Sequence, residues 1–325
     1  MNKIALAIHG GAGTILRSKM TAELENVYRI GLQTALDAGW KILNGGGTSL
    51  DAVERSVCEL ENYPFFNAGK GSVFTHDGKN EMDASIMDGK THTAGAIAFV
   101  RNVKNPVKLA RLVMEKTEHI LLGGSGANEF AREMQIETES DEYFFTDFRY
   151  QQLLEARERG QIQLDHTADE AETIEKDTSN LKSNIGTVGA VACDSLGNLA
   201  AATSTGGMTN KRFGRIGDTP IIGAGTYADN ETCAVSCTGH GEFFMKTLAA
   251  YDVAARMKYK NLNLIEAANE VVENLRAIGG EGGLIAVDAQ GNVHLPFNSE
   301  GMYRAFITSD SEPVVEIYRN VPIGK

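Results

Sequence analysis

Residues 165–183 hold almost no large apolar side chain apart from Ile174 and Leu181. So polar a segment cannot recover by burial the entropy lost on ordering it, and it should stay mobile and exposed. The next stretch is the opposite. Residues 187–193 and 199–205 are apolar runs on either side of Asp194-Ser195-Leu196-Gly197-Asn198, a turn of Asp, Gly and Asn between two buried strands. A segment that cannot pack therefore runs straight into a core hairpin, and the junction is Gly186-Thr187. Any fold for this chain has to hold that Thr at a rigid strand end behind a mobile linker.

The remaining sequence supplies both element types. Residues 22–43 carry apolar side chains near helical spacing and stop at Gly45-Gly46-Gly47; Thr48 or Ser49 can cap a second helix whose stripe is Leu50, Val53, Val57 and Leu60. Residues 72–100 change to short strands broken at Asp77-Gly78 and Asp88-Gly89, dipeptides that favour tight hairpins, so antiparallel pairing is expected. Helical periodicity marks 106–116, 126–134 and 146–159, and later 242–257 and 263–278. A second hairpin, over 283–297 around Asp288-Ala289-Gln290-Gly291-Asn292, resembles the first and suggests one sheet system. Strands, helices and strands in that order, without strict alternation, favour an α+β fold of antiparallel sheets layered with helices.

With 325 residues and 42% hydrophobic content the chain can bury a full-sized core, and no Pro/Ser-rich linker parts two independently patterned halves, so one fold unit is expected. The formal net charge of −12 argues against a grip on nucleic acid or anionic membrane, which needs clustered Lys and Arg. The apolar run before His9 is too brief for a signal h-region or a span, and a cytoplasmic protein is expected. Cys58, Cys193, Cys233 and Cys237 lie in apolar stretches without CxxC spacing and read as buried thiols.

The glycine-rich pieces 9–13 and 123–126 lack a following Lys-Ser/Thr or a downstream acid, and His9, His76, His92, His119, His166 and His294 form no HExxH pair; nucleotide binding and a catalytic zinc are both set aside. Trp40 is assigned to the core, and Glu54, Arg55, Glu59 and Glu61 to a solvated helix face.

The chemistry concentrates at the junction. A Thr hydroxyl is barely ionised near neutrality, whereas a chain-terminal Thr carries its own α-amine, with a pKa of ~7.7–8.0, as a base. Gly186, without a Cβ, permits a strained peptide and close approach of the Thr187 hydroxyl to the preceding carbonyl.

Gly186-Thr187-Val188-Gly189-Ala190-Val191, the stretch 202–211 from Ala-Thr-Ser-Thr-Gly-Gly to Asn210-Lys211, and Gly214-Arg215-Ile216-Gly217-Asp218 resemble the plant-type L-asparaginases, also called isoaspartyl peptidases, of the N-terminal nucleophile (Ntn) hydrolases. The resemblance continues through 223–227, Cys237-Thr238-Gly239-His240-Gly241-Glu242 and 279–284, and in the first half through 9–13, Phe66-Asn67-Ala68-Gly69 and 82–89, so nearly the whole chain is covered. It implies an αββα sandwich of two stacked, mainly antiparallel sheets flanked by helices. It implies cleavage between Gly186 and Thr187, giving an α subunit, 1–186, that ends in the linker over about 160–186, and a β subunit, 187–325, that begins with the nucleophile.

Thr205 would hold the nucleophile's hydroxyl, Thr238 and Gly239 would face the developing oxyanion, and Asn67 would contact Thr238. Arg215 would take the α-carboxylate of the substrate; Asp218 and the Gly241 carbonyl would take its α-ammonium. His240 falls where relatives vary, and either tunes substrate choice or merely covers the site. The resemblance implies no organic cofactor but a structural sodium ion on the carbonyls of Leu60, Glu61, Tyr63, Phe66, Ala68 and Lys70, small-molecule substrates such as L-asparagine and β-aspartyl dipeptides, and a homodimer of αβ units. A glycosylasparaginase-like hydrolase of GlcNAc-asparagine and an unprocessed, non-enzymatic scaffold are the alternatives.

Overall fold

The computed structural model describes residues 3–160 and 186–319. The expected linker falls largely on 161–185, outside those residues. In chain order the elements are β1 (Ala5–Gly13), α1 (Ala22–Asn44), α2 (Ser49–Asn62), β2 (Met82–Asp88), β3 (Ala94–Val100), α3 (Pro106–Lys116), β4 (Leu121–Gly123), α4 (Gly124–Glu133), α5 (Asp141–Phe144), α6 (Asp147–Glu158), β5 (Val188–Cys193), β6 (Leu199–Thr205), β7 (Thr226–Ala228), β8 (Cys233–Gly239), α7 (Gly241–Thr247), α8 (Ala249–Lys260), α9 (Leu264–Ala277), β9 (Gly282–Asp288), β10 (Val293–His294), β11 (Gly301–Thr308) and β12 (Val314–Tyr318).

Eight strands pair in the order β12-β11-β1-β5-β6-β2-β3-β4 and four in the order β10-β9-β8-β7. Among these ladders only β3 with β4 runs parallel. Side-chain alternation along the strands builds the layers. Leu6, Ile8, Ala190, Ala192, Ala200 and Ala202 face α1, α2 and α3, where they meet Leu32, Leu36, Val53, Val57 and Leu109. Their neighbours Ala5, Ala7, Val191, Cys193, Leu199 and Ala201 face the small sheet, against Ala234, Ile285 and Val287. The outer face of the small sheet, Cys233, Val235, Leu284 and Ala286, packs on Val253, Ala268, Val271 and Leu275 of α8 and α9. The result is the expected αββα sandwich. Truncating a fully buried Leu such as Leu32 or Leu36 to Ala in such a layer costs about 2–5 kcal/mol.

Local signals account for most boundaries. Thr21 and Thr48 accept the Leu24 and Asp51 amides as N-caps of α1 and α2, and Asn263 with Glu266 forms a capping box on α9. All four cysteines are buried and free, and Trp40 packs against the main core while remaining partly exposed.

Five expectations need correction. The two similar hairpins lie in different sheets, β5–β6 in the large and β9–β10 in the small one, because turn chemistry fixes a hairpin but not its neighbours. The helix expected over 242–257 breaks at Leu248, whose φ of 49° and ψ of 51° end α7 and start α8 without a Gly or Pro. The Asp77-Gly78 hairpin shrinks to a single bridge, Phe74 with Asn80. The apolar run before His9 does not end there: it forms a strand that continues to Gly13 across a bulge between His9 and Gly11, which the glycines allow.

The fifth is Glu61, expected on a solvated face but fully buried. Its carboxyl accepts the Val107 amide at 3.0 Å, the Ser204 hydroxyl at 2.7 Å and the Asn105 amide at 3.1 Å, so it caps α3 from a neighbouring helix. Burial pushes the carboxyl up to about 8, against those hydrogen bonds.

Candidate active site

The alternation that layers the core also sends His9, Thr187, Thr203 and Thr205 into the space between the sheets. Thr187 precedes the first residue of β5, and β6 runs antiparallel beside it, with Val188 opposite Ser204. This register brings Thr187 against Thr205, and the Thr187 hydroxyl donates to Thr205 Oγ1 at 3.2 Å. Thr205 Oγ1 also accepts the Gly207 amide at 3.0 Å. The Thr187 carbonyl accepts from His9 Nδ1 at 3.0 Å; a carbonyl only accepts, so Nδ1 carries the ring proton. Burial lowers the His9 pKa to about 3, despite that bond, and keeps the ring neutral.

Thr187 and Thr205 line one small cavity with Gly186, Gly207, Met208, Arg215, Gly217, Asp218, Thr219 and Gly239. Asp218 is buried, and among the described residues its Oδ2 has no hydrogen-bond partner. Burial, opposed by the Arg215 charge, pushes its carboxyl up to about 7. An uncompensated carboxylate in such a place is stabilised by a cation with N–H groups to donate.

Arg215 is held from the other side. Its Nε and Nη2 donate to the two carboxylate oxygens of Glu242, each at 2.9 Å, a bidentate pair on the first turn of α7. Two of its five donors are therefore engaged, and the rest of the fork remains for a ligand. Gly241 passes so close that a Cβ there would lie 2.7 Å from Asp218 Oδ1 and 3.2 Å from Arg215 Nη2. His240 does not line the cavity; its Nε2 lies 3.4 Å from Glu242 and its ring stands edge-on to Phe243, so it backs the Arg215–Glu242 pair.

The oxyanion half is less complete than expected. Gly239 reaches the cavity in a conformation, φ 146°, in which a Cβ would lie 2.3 Å from the Glu281 carbonyl. Thr238 is fully buried, its Oγ1 accepts the Ala12 amide at 3.3 Å, and it does not line the cavity. The Asn67 amide donates to the Gly207 carbonyl at 2.8 Å and its Oδ1 accepts from the Val73 amide at 3.0 Å, so it braces the segment after Thr205.

The loop expected to surround an ion is lined by oxygen. The carbonyls of Leu60, Tyr63, Phe66 and Ala68 each accept one backbone amide, which leaves each a lone pair. At Gly69 (φ 52°) a Cβ would lie 2.4 Å from the Glu61 carbonyl, and at Gly71 one would lie 2.1 Å from the Phe66 carbonyl. This packing of carbonyls around bare backbone fits a hard cation. The Glu61 side chain points away to α3, and Lys70 extends over the Tyr143 ring.

Sequence reasoning missed His9 and Glu242. Each sits inside a stretch that marked the resemblance, but only the fold shows that His9 reaches the Thr187 carbonyl, 178 positions away.

A buried Thr at the start of an inner strand of an αββα sandwich, with its hydroxyl bonded to a second Thr, defines the class of Ntn hydrolases. Within that class, the chain belongs to the asparaginase family, whose profile, described as Asparaginase, matches residues 2–317. It is 52% identical over 320 residues to the isoaspartyl peptidase of Salmonella typhimurium, covering 98% of this chain and 100% of that one. The isoaspartyl peptidase of Escherichia coli is also 52% identical, with 98% and 97% covered. A probable isoaspartyl peptidase/L-asparaginase 2 of Arabidopsis thaliana is 44% identical, with 97% and 98% covered. Among the described residues no helix is long and apolar enough to cross a membrane.

Proposed function

We propose that this chain cleaves itself before Thr187 and then hydrolyses β-aspartyl dipeptides and L-asparagine. One observation carries the reading: the Thr187 hydroxyl, fixed on Thr205, opens onto the same small cavity as Arg215 and the buried Asp218, whose Oδ2 has no hydrogen-bond partner among the described residues. A free amino-acid head group, one carboxylate and one ammonium, matches that pair of charges. The names of the relatives support the same substrates.

In the precursor the Thr187 hydroxyl attacks the Gly186 carbonyl carbon, the bond to the Thr187 nitrogen breaks as that nitrogen takes a proton, and water hydrolyses the resulting ester. The freed α-amine then accepts the Thr187 hydroxyl proton as the oxygen attacks the β-carbonyl of the substrate. That proton passes to the leaving amine, and a water, deprotonated in turn, releases aspartate from the β-aspartyl ester. Thr205 orients the hydroxyl, and Arg215 with Asp218 and the Gly241 backbone fixes the head group. Gly239 and Thr238 serve the oxyanion, and Asn67 steadies Gly207 beside Thr205. We assign the 60–70 loop to a structural sodium ion, with no organic cofactor, and the cut chains to a homodimer of αβ units. Four free, buried cysteines suit the cytoplasm.

Thr187→Ala should remain one polypeptide and show no hydrolysis of β-Asp-Leu, while the active protein should yield Thr-Val-Gly-Ala on N-terminal sequencing. A Thr187→Ala protein that still splits and cleaves β-Asp-Leu defeats the reading. Preference for GlcNAc-asparagine over β-Asp-Leu would assign the chain to glycosylasparaginase chemistry, and an intact, inactive wild type would make it a scaffold.

A further inference from the structure

The layer between the sheets contains a run of buried hydroxyls that the proposed reaction does not use. His9 Nε2 lies 2.9 Å from Ser236 Oγ, and Ser236 Oγ lies 2.7 Å from Thr203 Oγ1. Thr203 Oγ1 contacts Thr226 Oγ1, Thr226 Oγ1 lies 2.8 Å from Ser85 Oγ, and Ser85 Oγ lies 2.6 Å from the Thr219 carbonyl. The members come from β1, β8, β6, β7 and β2, and none exposes any surface. One end is the imidazole that holds the Thr187 carbonyl. The other is the carbonyl of the residue after Asp218.

Such a layer is costly unless fully bonded, since each buried hydroxyl left without a partner costs about 1–3 kcal/mol. On the same faces Ala5, Ala7 and Ala201 pack without that demand. The backbone makes room for the chain at Gly189, where a Cβ would lie 2.0 Å from Ser236 Oγ and 2.5 Å from His9 Nε2.

Counting hydrogens shows that the bonds depend on one another. With Nδ1 protonated, His9 Nε2 can only accept, and so can the Thr219 carbonyl. Five contacts run between these ends and the four hydroxyls offer one hydrogen each, so one contact goes without a hydrogen, and Thr203 has a further acceptor in the Gly225 carbonyl at 3.3 Å. Ser236 must donate to His9 and Ser85 to Thr219, so Thr203 and Thr226 share two hydrogens among the three inner contacts, and the direction of one constrains the other. The members are therefore coupled, because a change of donor at one contact alters which of the others carries a hydrogen.

We propose that Ser236, Thr203, Thr226 and Ser85 are positioning residues that, with His9, form a single strut between the nucleophile and the substrate-carrying loop at Asp218. The proposal rests on the function assigned above, in which those two ends must act on one small substrate. The strut sets their separation, so an error at one end is felt at the other.

Ser85 and Ser236 share no hydrogen bond with each other, which makes them the pair to test. Ser85→Ala and Ser236→Ala should each raise KM for β-Asp-Leu and lower kcat together, with kcat/KM down by on the order of tenfold in each. In the double variant kcat/KM should fall no further than in the worse single, because either cut releases the same strut. Thr226→Ser should keep activity and Thr226→Val should match the single variants. Nitrogen-15 resonances of the His9 ring supply a readout independent of turnover: Nε2 should shift in folded Ser85→Ala and Thr226→Val. A double variant whose loss is the product of the singles, or an Nε2 resonance unmoved by both distant substitutions, overturns the strut. A wild type without β-Asp-Leu hydrolysis overturns the function instead, and the His9 resonance still decides the strut.

Discussion

Thr205 Oγ1 receives two hydrogen bonds, from the Thr187 hydroxyl at 3.2 Å and from the Gly207 amide at 3.0 Å. One oxygen thus fixes both the nucleophile and the turn that closes the cavity over it. Thr205→Val keeps the branched shape and removes the acceptor. We expect kcat to fall by on the order of 10²-fold, with about 1–3 kcal/mol lost in urea unfolding from the stranded Gly207 amide. Thr205→Ser should recover most of both. A Val variant with unchanged kcat would remove Thr205 from the site.

Asp218 gives the reaction its acid limb. Its carboxyl, raised to about 7 by burial, is neutral in the free enzyme below that pH and cannot pair with the substrate ammonium. Below ~7 the profile of kcat/KM should therefore fall more steeply than that of kcat, by about a further tenfold per pH unit carried in KM, because bound ammonium keeps the carboxylate ionised in the complex while protonation of the Thr187 α-amine lowers both. In Asp218→Asn the KM should be high at every pH. A wild-type profile flat from pH 5 to 7 would contradict this.

His9 links stability to acid. Its folded pKa of about 3 lies below the ~6.5 of an unfolded His, so between those values the unfolded chain binds the extra proton. Its contribution to stability is complete above ~6.5 and is lost as pH falls, by at most ~1.4 kcal/mol per pH unit. Urea melts at pH 7 and pH 5 should differ by about 2 kcal/mol more in the wild type than in His9→Gln. Equal differences would show that His9 is not held neutral.

Gly189 and Gly126 should answer the same substitution with opposite signs. A Cβ on Gly189 meets Ser236 Oγ at 2.0 Å, whereas one on Gly126 in α4 meets nothing within 4 Å. Gly189→Ala should destabilise by about 1–3 kcal/mol and slow appearance of the Thr187 terminus on denaturing gels. Gly126→Ala should stabilise by up to ~1 kcal/mol. A tolerated Gly189→Ala would mean that the His9–Ser236 contact has slack.

What could be read from residues alone were features whose cause is local. The Asp-Gly-Asn turn at 194–198, the cap at Thr48 and the apolar runs of β5 and β6 act over a few positions, and each element formed where expected. Arg215 and Asp218 were identifiable because a dense motif surrounds them. Glu61 escaped because its position on α2 reads as solvated until the start of α3, 46 residues later, settles over it. The Leu248 break carries no glycine or proline to announce it. The His9–Ser236 bond spans 227 positions, and no spacing rule connects residues brought together only when two sheets stack.

Strand order in the large sheet decides the fate of the two pieces once the bond before Thr187 is cut. β1 lies between β11 and β5, and β6 lies against β2, so pieces from either side of the break are dovetailed along three ladders. Severing the backbone there removes a covalent tie without loosening the assembly, and both fragments should travel together under native conditions. Their melting nevertheless becomes a dissociation of separate molecules. The melting temperature of the mature protein should therefore rise more steeply with protein concentration than that of an uncut Thr187→Ala protein, which parts into half as many chains.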